Sequence, residues 1–248
     1  MSGNPGRHRD ATGTALNAAD GTWPEHSLLS GLRRRDSEAL LNLGTEVSYR
    51  ARQVVIRQGD GHGHAVLVVS GHVKVVVTSE FGRDLLVAVR GRGDLLGEMG
   101  VLEGEPRVAT VVAAGNTTAR VFKAVELTEF VTRHNDAALA VARSISDRLR
   151  ELQSRWVDLI VCPAHTRVAR VLTDLVDQHG ERTPDGWTPA IPLNQSELAD
   201  LAGTALSTTE KALRQLQRAH LLRRSARRIV VTDLEGLRRE GDRDARRP

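Results

Sequence analysis

Residues 194–216 read NQSELADLAGTALSTTEKALRQL. Within this stretch Ala199 and Gly203 lie four residues apart, and Thr209 follows the glycine by six residues. A small residue suits the point where two helices cross, and glycine supplies the positive φ of a tight turn. The pattern therefore predicts a helix-turn-helix, with a plain helical hairpin as the alternative.

Both helices of this motif begin with residues that are typical of helix N-termini. Asn194 with Glu197, and Ser207 with Glu210, each have the spacing of a capping box. The second of these boxes leaves open a helix start one or two residues after Leu206.

Positive charge is concentrated within and after the motif. Between Leu206 and Thr232 seven bases minus one acid give +6, whereas the whole chain carries +4. DNA phosphates require such a basic surface. Two apolar runs, Leu221-Leu222 and Ile229-Val230-Val231, flank the arginine-rich segment and predict a β wing that lies on the DNA backbone.

The expected DNA contacts can be sorted by chemistry. Arg214, Arg227 and Arg228 are predicted to contact phosphates, which positions the protein without reading sequence. The start of the second helix is predicted to read bases, because Leu206 can meet a thymine methyl and Lys211 can reach guanine acceptors. The full predicted set is Gln195, Ser196, Leu206, Ser207, Thr208, Lys211, Arg214, Arg227 and Arg228.

A long apolar seam lies upstream of the motif. Its members alternate spacings of four and three residues: Ala138, Ala142, Ile145, Leu149, Leu152, Trp156 and Leu159. This is an a/d heptad pattern, which favours a partner helix, and an identical chain is the simplest partner. The alternative is a helix that lies along its own β domain. The predicted dimer contacts are Ile145, Leu149, Leu152, Trp156 and Leu159.

The N-terminal half has a different texture. From Glu46 to Lys123 β-branched residues alternate with polar ones and glycines interrupt them every ten or so residues, which predicts short antiparallel strands in a sandwich or roll. A helix is expected from His26 to Leu43. The predicted fold class is α+β, with an antiparallel β-roll, a long dimerisation helix and a winged helix-turn-helix. The predicted boundaries are a disordered arm at 1–26, the β-roll at 27–135, the helix at 136–162, the winged domain at 163–236 and a charged tail at 237–248.

Composition excludes several classes of protein. Cys162 is the only cysteine, so a disulfide framework, a zinc ribbon or a four-cysteine cluster within one chain is excluded, and Cys162 is expected to be a small apolar residue beside Pro163. Seven aromatic residues argue against a stacking platform for single strands. Neither a membrane-spanning run nor a signal peptide is found, so a cytoplasmic protein that contacts no membrane is expected. We find no catalytic motif and expect no enzyme activity.

A second informative segment is GDLLGEMGVLEGEPRVAT at residues 93–110, in which Gly97-Glu98 precedes Arg107 by nine residues. Over about residues 26–235 the chain resembles the cyclic-AMP receptor protein/FNR family of bacterial transcription regulators, and this spacing is similar to the phosphate-binding cassette of cyclic-nucleotide domains. Arg107 would offer a forked, permanently charged donor to a cyclic phosphate. Glu98 would accept the ribose hydroxyl, as the resemblance implies; the alternative is that Glu98 pairs with Arg107 in an empty roll.

The resemblance implies a homodimeric regulator that binds near-palindromic double-stranded DNA, contacts RNA polymerase, and is gated by cyclic AMP or another cyclic nucleotide. The chain departs from the family at Val108, where a hydroxyl residue is usual, and at Leu152 and Gln153, which match the positions that hold adenine. Leu206-Ser207 replaces an Arg-Glu pair, so the receptor's operator should not be read. The predicted nucleotide-binding residues are Gly97, Glu98, Arg107, Val108 and Gln153.

Two alternatives to this function remain. One is the same regulator with a degenerate pocket, which binds DNA without a cyclic nucleotide. The other is a cyclic-nucleotide-binding regulatory subunit of a partner enzyme. No metal, haem or iron–sulfur cluster is expected, because the sequence places His62 and His64 on a hairpin loop without a third ligand and His72 is expected to be solvated.

Overall fold

The computed structural model describes residues 23–225 and 228–242. Most of the predicted arm at 1–26, Arg227 and the last six residues of the predicted tail lie outside the described residues.

The N-terminal part of the chain forms two antiparallel sheets of four strands each. The strand orders are β1-β8-β3-β6 and β2-β7-β4-β5, and residues from both sheets share one apolar core. The alternation of β-branched residues places Val66 and Val68 in that core, because successive side chains on a strand point to opposite faces and both faces of β3 are covered. The strands are β1 (Thr45–Tyr49), β2 (Val54–Ile56), β3 (His64–Ser70), β4 (Val73–Thr78), β5 (Asp84–Arg90), β6 (Leu95–Leu96), β7 (Thr110–Ala113) and β8 (Thr117–Lys123).

Helices flank this β domain on both sides in sequence. A 3-10 turn (Leu28–Gly31) and α1 (Arg34–Asn42) precede it, so the single helix predicted from His26 to Leu43 is wrong. The break follows from extended backbone at Leu32 and Arg33, while Leu28 and Leu29 are buried. The other helices of this half are α2 (Glu98–Glu103), α3 (Ala124–Arg133) and α4 (Asn135–Val161).

Helix α4 ends just before Cys162-Pro163, as the proline predicts. Cys162, the residue before Pro163, has an extended backbone and is 6% exposed. Of the helices that the described residues form, none is long and apolar enough to span a bilayer.

The C-terminal part contains four helices and one sheet with strand order β11-β12-β10-β9. Pro184 and Asp185 form the turn that joins β9 to β10, and the predicted wing is formed by β11 and β12. The elements are α5 (Ala164–His179), β9 (Gly180–Thr183), β10 (Gly186–Pro189), α6 (Gln195–Leu201), α7 (Leu206–Arg218), β11 (Leu222–Ser225), β12 (Arg228–Val231) and α8 (Leu234–Asp242). The predicted fold class, with a sheet-rich N-terminal domain, a long helix and a helix-turn-helix domain, is confirmed.

Two local predictions in this half are wrong. Helix α7 begins at Leu206 with Ala205 as its N-cap and without a side-chain cap, so Ser207 and Glu210 form no capping box there. The predicted tail at 237–248 is helical as far as Asp242, because Leu237 is fully buried and α8 packs against α5. Because charged residues surround Leu237, the sequence pattern did not predict that this leucine is buried and anchors a helix.

Candidate functional site

The phosphate-type cassette is built around a left-handed turn at Gly97, the N-cap of α2. Its φ is 76°, and a Cβ at this position would lie 2.6 Å from Nη1 of Arg107 and 3.0 Å from Ile56. Glycine is therefore required both for the backbone conformation and for the close approach of the guanidinium.

Arg107 is a buried cation at this turn. It is 5% exposed, its Nη1 donates to Gly97 O at 2.6 Å, and its Nη2 donates to His64 O. Within the described residues its Nε has no partner, and its guanidinium has no carboxylate oxygen within ion-pair distance. Burial lowers the pKa of Arg107, although Glu98 and Asp60 act in the opposite direction. A buried guanidinium that no carboxylate pairs with directly is a site where binding an anion is most favourable.

Glu98 lies beside Arg107 but is held by the long helix. Glu98 is 3% exposed, and its Oε1 accepts from Nη1 of Arg148, whose Nη2 donates to Leu95 O at 2.7 Å. The alternative in which Glu98 pairs with Arg107 is wrong, because Arg148 takes the carboxylate. The sequence analysis did not identify Arg148 as a site residue.

A second charged group lies further along α4. Glu151 Oε2 accepts from Nη2 of Arg90 at 3.1 Å, and its Oε1 accepts from Nη2 of Arg155 at 2.7 Å. Arg155 also donates from Nη1 to Val87 O at 2.9 Å. Residues 148, 151 and 155 are spaced so that they lie on one face of the helix. From the sequence, this spacing could have predicted that α4 has a polar face directed at the β domain.

These groups line a half-open cavity of about 210 Å³ between the β domain and α4. Its walls are mostly apolar. Val108 lines it although 65% exposed, and Leu152 lines it where Gln153 was predicted. Gln153 is exposed and lies outside the lining, so its predicted contact is not formed in the single chain. The residues that carry its polar chemistry are Arg90, Gly97, Glu98, Arg107, Arg148, Glu151 and Arg155.

Helix α4 has a buried first part and an exposed second part. Ala137, Ala140 and Val141 are buried, and Ile145 packs against the same apolar cluster. The alternative of a helix lying on its own β domain therefore describes only the first part. In the second part the seam is open: Leu149 is 56% exposed, Leu152 58%, Trp156 66% and Leu159 43%.

The helix-turn-helix has the predicted local geometry. The Asn194–Glu197 capping box is present, with both hydrogen bonds at 2.9 Å, and Gly203 in the turn has φ 59°. The inner face of α7 is buried through Thr209, Ala212 and Leu213.

Most of the predicted DNA contacts are exposed side chains. Helix α7 exposes Leu206, Ser207, Thr208, Lys211 and Arg214, and Ser196 and Arg228 are also exposed. Gln195 is half-buried, and in one orientation its amide donates to Glu210 at 3.3 Å and accepts from Arg224 at 2.5 Å. Arg227 lies outside the described residues.

The prediction that His72 is solvated is wrong. His72 is not solvated: its ring packs edge-on against His179 at 5.2 Å between centroids, and burial lowers its pKa. The sequence analysis did not predict this contact because His179 lies more than a hundred residues from His72 in the sequence. Within the described residues no group of three or more possible metal ligands is found.

Two family models match the chain, a cyclic nucleotide-binding domain over residues 46–134 and a Crp-like helix-turn-helix domain over residues 166–240. The fold and these matches define a class of protein in which a cyclic nucleotide-binding domain precedes a helix-turn-helix of transcription regulators. The chain belongs to the Crp/Fnr family of transcription regulators.

Similar proteins agree with this assignment. The CRP-like cAMP-activated global transcriptional regulator of Mycobacterium tuberculosis is 24% identical over 193 residues, which cover 78% of this chain and 86% of that protein. The cAMP-activated global transcriptional regulator Vfr of Pseudomonas aeruginosa is 25% identical over 188 residues, covering 74% and 87%. The structure of CLP, a c-di-GMP-responsive global regulator of Xanthomonas campestris, has a TM-score of 0.69 at 23% identity and covers 80% of this chain and 99% of that one.

Proposed function

We propose that this chain is a homodimeric, DNA-binding transcription regulator gated by a cyclic nucleotide in the cavity between the β domain and α4. The observation that carries the proposal is Arg107, a buried guanidinium that lines the cavity and has no carboxylate partner among the described residues. A cyclic phosphate keeps one negative charge and matches the forked donor. Glu98 and Arg148, joined across the cavity wall, would rearrange around a ribose hydroxyl and so link the ligand to α4.

Dimerisation is supported by the exposed seam of α4. Two-fold pairing of identical helices would cover Leu149, Leu152 and Trp156, which a single chain leaves open to solvent. Two copies of α7 would then enter successive major grooves about 34 Å apart. Lys211 would read bases, and Arg214, Arg227 and Arg228 would contact phosphates. Such a regulator would act in the cytoplasm on promoters that RNA polymerase uses.

Calorimetric titration of the full chain with cyclic AMP and with cyclic GMP tests the ligand. We expect heat from at least one nucleotide and a loss of affinity of about 10-fold or more in Arg107→Ala, because a charge-assisted hydrogen bond is removed. Arg57→Ala, which changes an exposed arginine outside the cavity, should bind like the wild type.

The absence of heat from both nucleotides would contradict gating. Retained binding of duplex DNA would then support the regulator that needs no cyclic nucleotide. Heat from a cyclic nucleotide without binding of duplex DNA would instead support the cyclic-nucleotide-binding regulatory subunit of a partner enzyme.

A further inference from the structure

The end of the cavity that is remote from Arg107 carries a charged pair on α4. Arg148 holds Glu98 beside Arg107, and Arg155 lies seven residues further along the same helix. At 1.5 Å per residue this is about 10 Å along the axis. Both residues line the cavity, so its polar groups are divided between two ends. That separation is comparable with the distance from the phosphate to the base edge of a mononucleotide.

Glu151 keeps spare hydrogen-bonding capacity at this remote end. Within the described residues, one carboxylate oxygen accepts a hydrogen bond from Arg90 and the other from Arg155, whereas a carboxylate offers about four acceptor positions. Arg155 is also incompletely used, since its buried Nε has no partner within the described residues. An anionic acceptor and a cationic donor therefore stand side by side where a base would lie.

Leu152 cannot recognise an adenine base through hydrogen bonds. It lines the cavity between Glu151 and Arg155 on the same helical face, and its side chain has neither donor nor acceptor. It offers an apolar surface to the plane of a ring. Within the described lining, the hydrogen-bonding side chains at this end are Arg90, Glu151 and Arg155.

We propose that Glu151 and Arg155 select a guanine-type base, so that the ligand of this cavity is a guanine cyclic nucleotide rather than an adenine one. The N1–H and N2–H donors of guanine lie side by side and match the two oxygens of one carboxylate. The O6 acceptor matches the guanidinium of Arg155. Adenine presents an N1 lone pair where guanine has a donor, and this lone pair would face the carboxylate of Glu151.

This inference rests on the proposed function, and the test separates the two. Cyclic GMP, cyclic IMP and cyclic AMP are titrated into the full chain by calorimetry, together with Arg107→Ala as the variant that reports on the phosphate. We expect cyclic GMP to bind at least about 10-fold more tightly than cyclic AMP, with cyclic IMP between them because it lacks the N2 amine.

The variant Glu151→Gln is expected to bring the affinities for cyclic GMP and cyclic AMP to within about threefold, mainly by weakening cyclic GMP. Asp147→Asn is the matched control: it makes the same chemical change on α4 at an exposed carboxylate outside the cavity lining, and it should keep the wild-type ratio.

Equal or tighter binding of cyclic AMP by the wild type would overturn the guanine assignment while leaving the proposed function intact. An unchanged ratio in Glu151→Gln, or equal binding of cyclic IMP and cyclic GMP, would overturn the role of the carboxylate. No binding of any of the three would overturn the proposed function and this inference together.

Discussion

At the scale of single residues, the ion pair between Glu98 and Arg148 connects the cassette to the long helix. The side chain of Glu98 is 5% exposed and that of Arg148 is 21% exposed, so water screens this pair weakly. Arg148 also donates to Leu95 O, which anchors the helix to the strand before the cassette. Any ligand that competes for Glu98 must therefore act on α4.

Removing Arg148 should leave a buried carboxylate without its partner. We expect Arg148→Ala to lower the free energy of unfolding by about 2–3 kcal/mol, measured by urea denaturation. Arg150→Ala is the control, since its pair with Asp147 is exposed on both sides and should contribute less than about 0.5 kcal/mol. Adding Glu98→Gln to Arg148→Ala should restore part of the loss. Equal costs for the two arginine variants would contradict the structural role of Arg148.

The residues of the cassette could be predicted from sequence, but their partners could not. Gly97 and Arg107 belong to one short segment, and the chemistry of a buried phosphate dictates their types. Arg148 meets Glu98 across 50 residues of chain, and nothing in a single sequence reports such a contact. The burial of His72 against His179 was missed for the same reason.

At the scale of elements, α4 performs two different packing tasks along its length. Its first turns bury Ala137, Ala140 and Val141 against the β domain, and its later turns expose the seam. The adjoining face of those later turns supplies Arg148 and Glu151 to the cavity, and Leu152 lies at the boundary between the two faces. One helix therefore contacts the ligand site with one face and, in the proposed dimer, the second copy with the adjoining face.

The exposed seam should be the dimer interface. Trp156→Glu places a charge at a site that is 66% exposed in one chain, and two-fold symmetry would bury that charge twice. We expect the wild type to sediment as a dimer at micromolar concentration and Trp156→Glu as a single chain. Val125→Glu, at a 57% exposed position on α3, should sediment like the wild type. A wild type that remains a single chain would refute the dimer.

Element types followed from pattern, and some element ends did not. The strands and the first helix of the helix-turn-helix follow from alternation, glycine spacing and the Asn194–Glu197 box. Helix α7 begins at Leu206, where the predicted base-reading residues begin, and the alternative start one or two residues later is wrong. Thr204 and Thr209 bond to each other at 2.5 Å across the turn, which the sequence pattern does not predict. Helix α8 was missed because Leu237 is one apolar anchor within a charged run.

At the scale of the whole molecule, the two domains share an apolar core. Leu86 and Val89 of β5 are buried in one cluster with residues of the C-terminal domain. Two ion pairs border it: Lys74 Nζ lies 2.6 Å from Glu197 Oε1, and Arg83 Nη2 lies 3.0 Å from Asp200 Oδ1. A change of cavity shape that moves β5 would therefore move α6 and the adjacent recognition helix.

The domain interface should weaken in acid. His179 packs against His72 there, and burial, aided by His72, Arg90 and His26, lowers the pKa of His179 to about 3, although a hydrogen bond with the Val89 backbone acts in the opposite direction. Below about pH 6.5 the unfolded chain binds a proton that the folded chain refuses until about pH 3. The contribution of His179 to stability is therefore complete above pH 6.5 and falls as the pH drops, by up to about 2 kcal/mol at pH 5, whereas Asp174, whose pKa burial raises to about 6, acts in the opposite direction.

Urea denaturation at pH 7.5 and pH 5 checks this expectation. His179→Gln should show a smaller loss between the two values than the wild type, whereas His62→Gln, at an exposed loop histidine, should show the wild-type loss. Identical losses in all three proteins would show that the interface histidine does not carry the pH dependence.

The central claim is that a ligand in the cavity controls DNA binding by a pair of chains. The most direct measurement is a titration of a labelled duplex, selected from a random pool, with the full chain at fixed salt, with and without the tighter-binding cyclic nucleotide. We predict two chains per duplex and an affinity about 5- to 150-fold higher with nucleotide, and no such gain in Arg107→Ala. The same affinity with and without saturating nucleotide, or one chain per duplex, would contradict the claim.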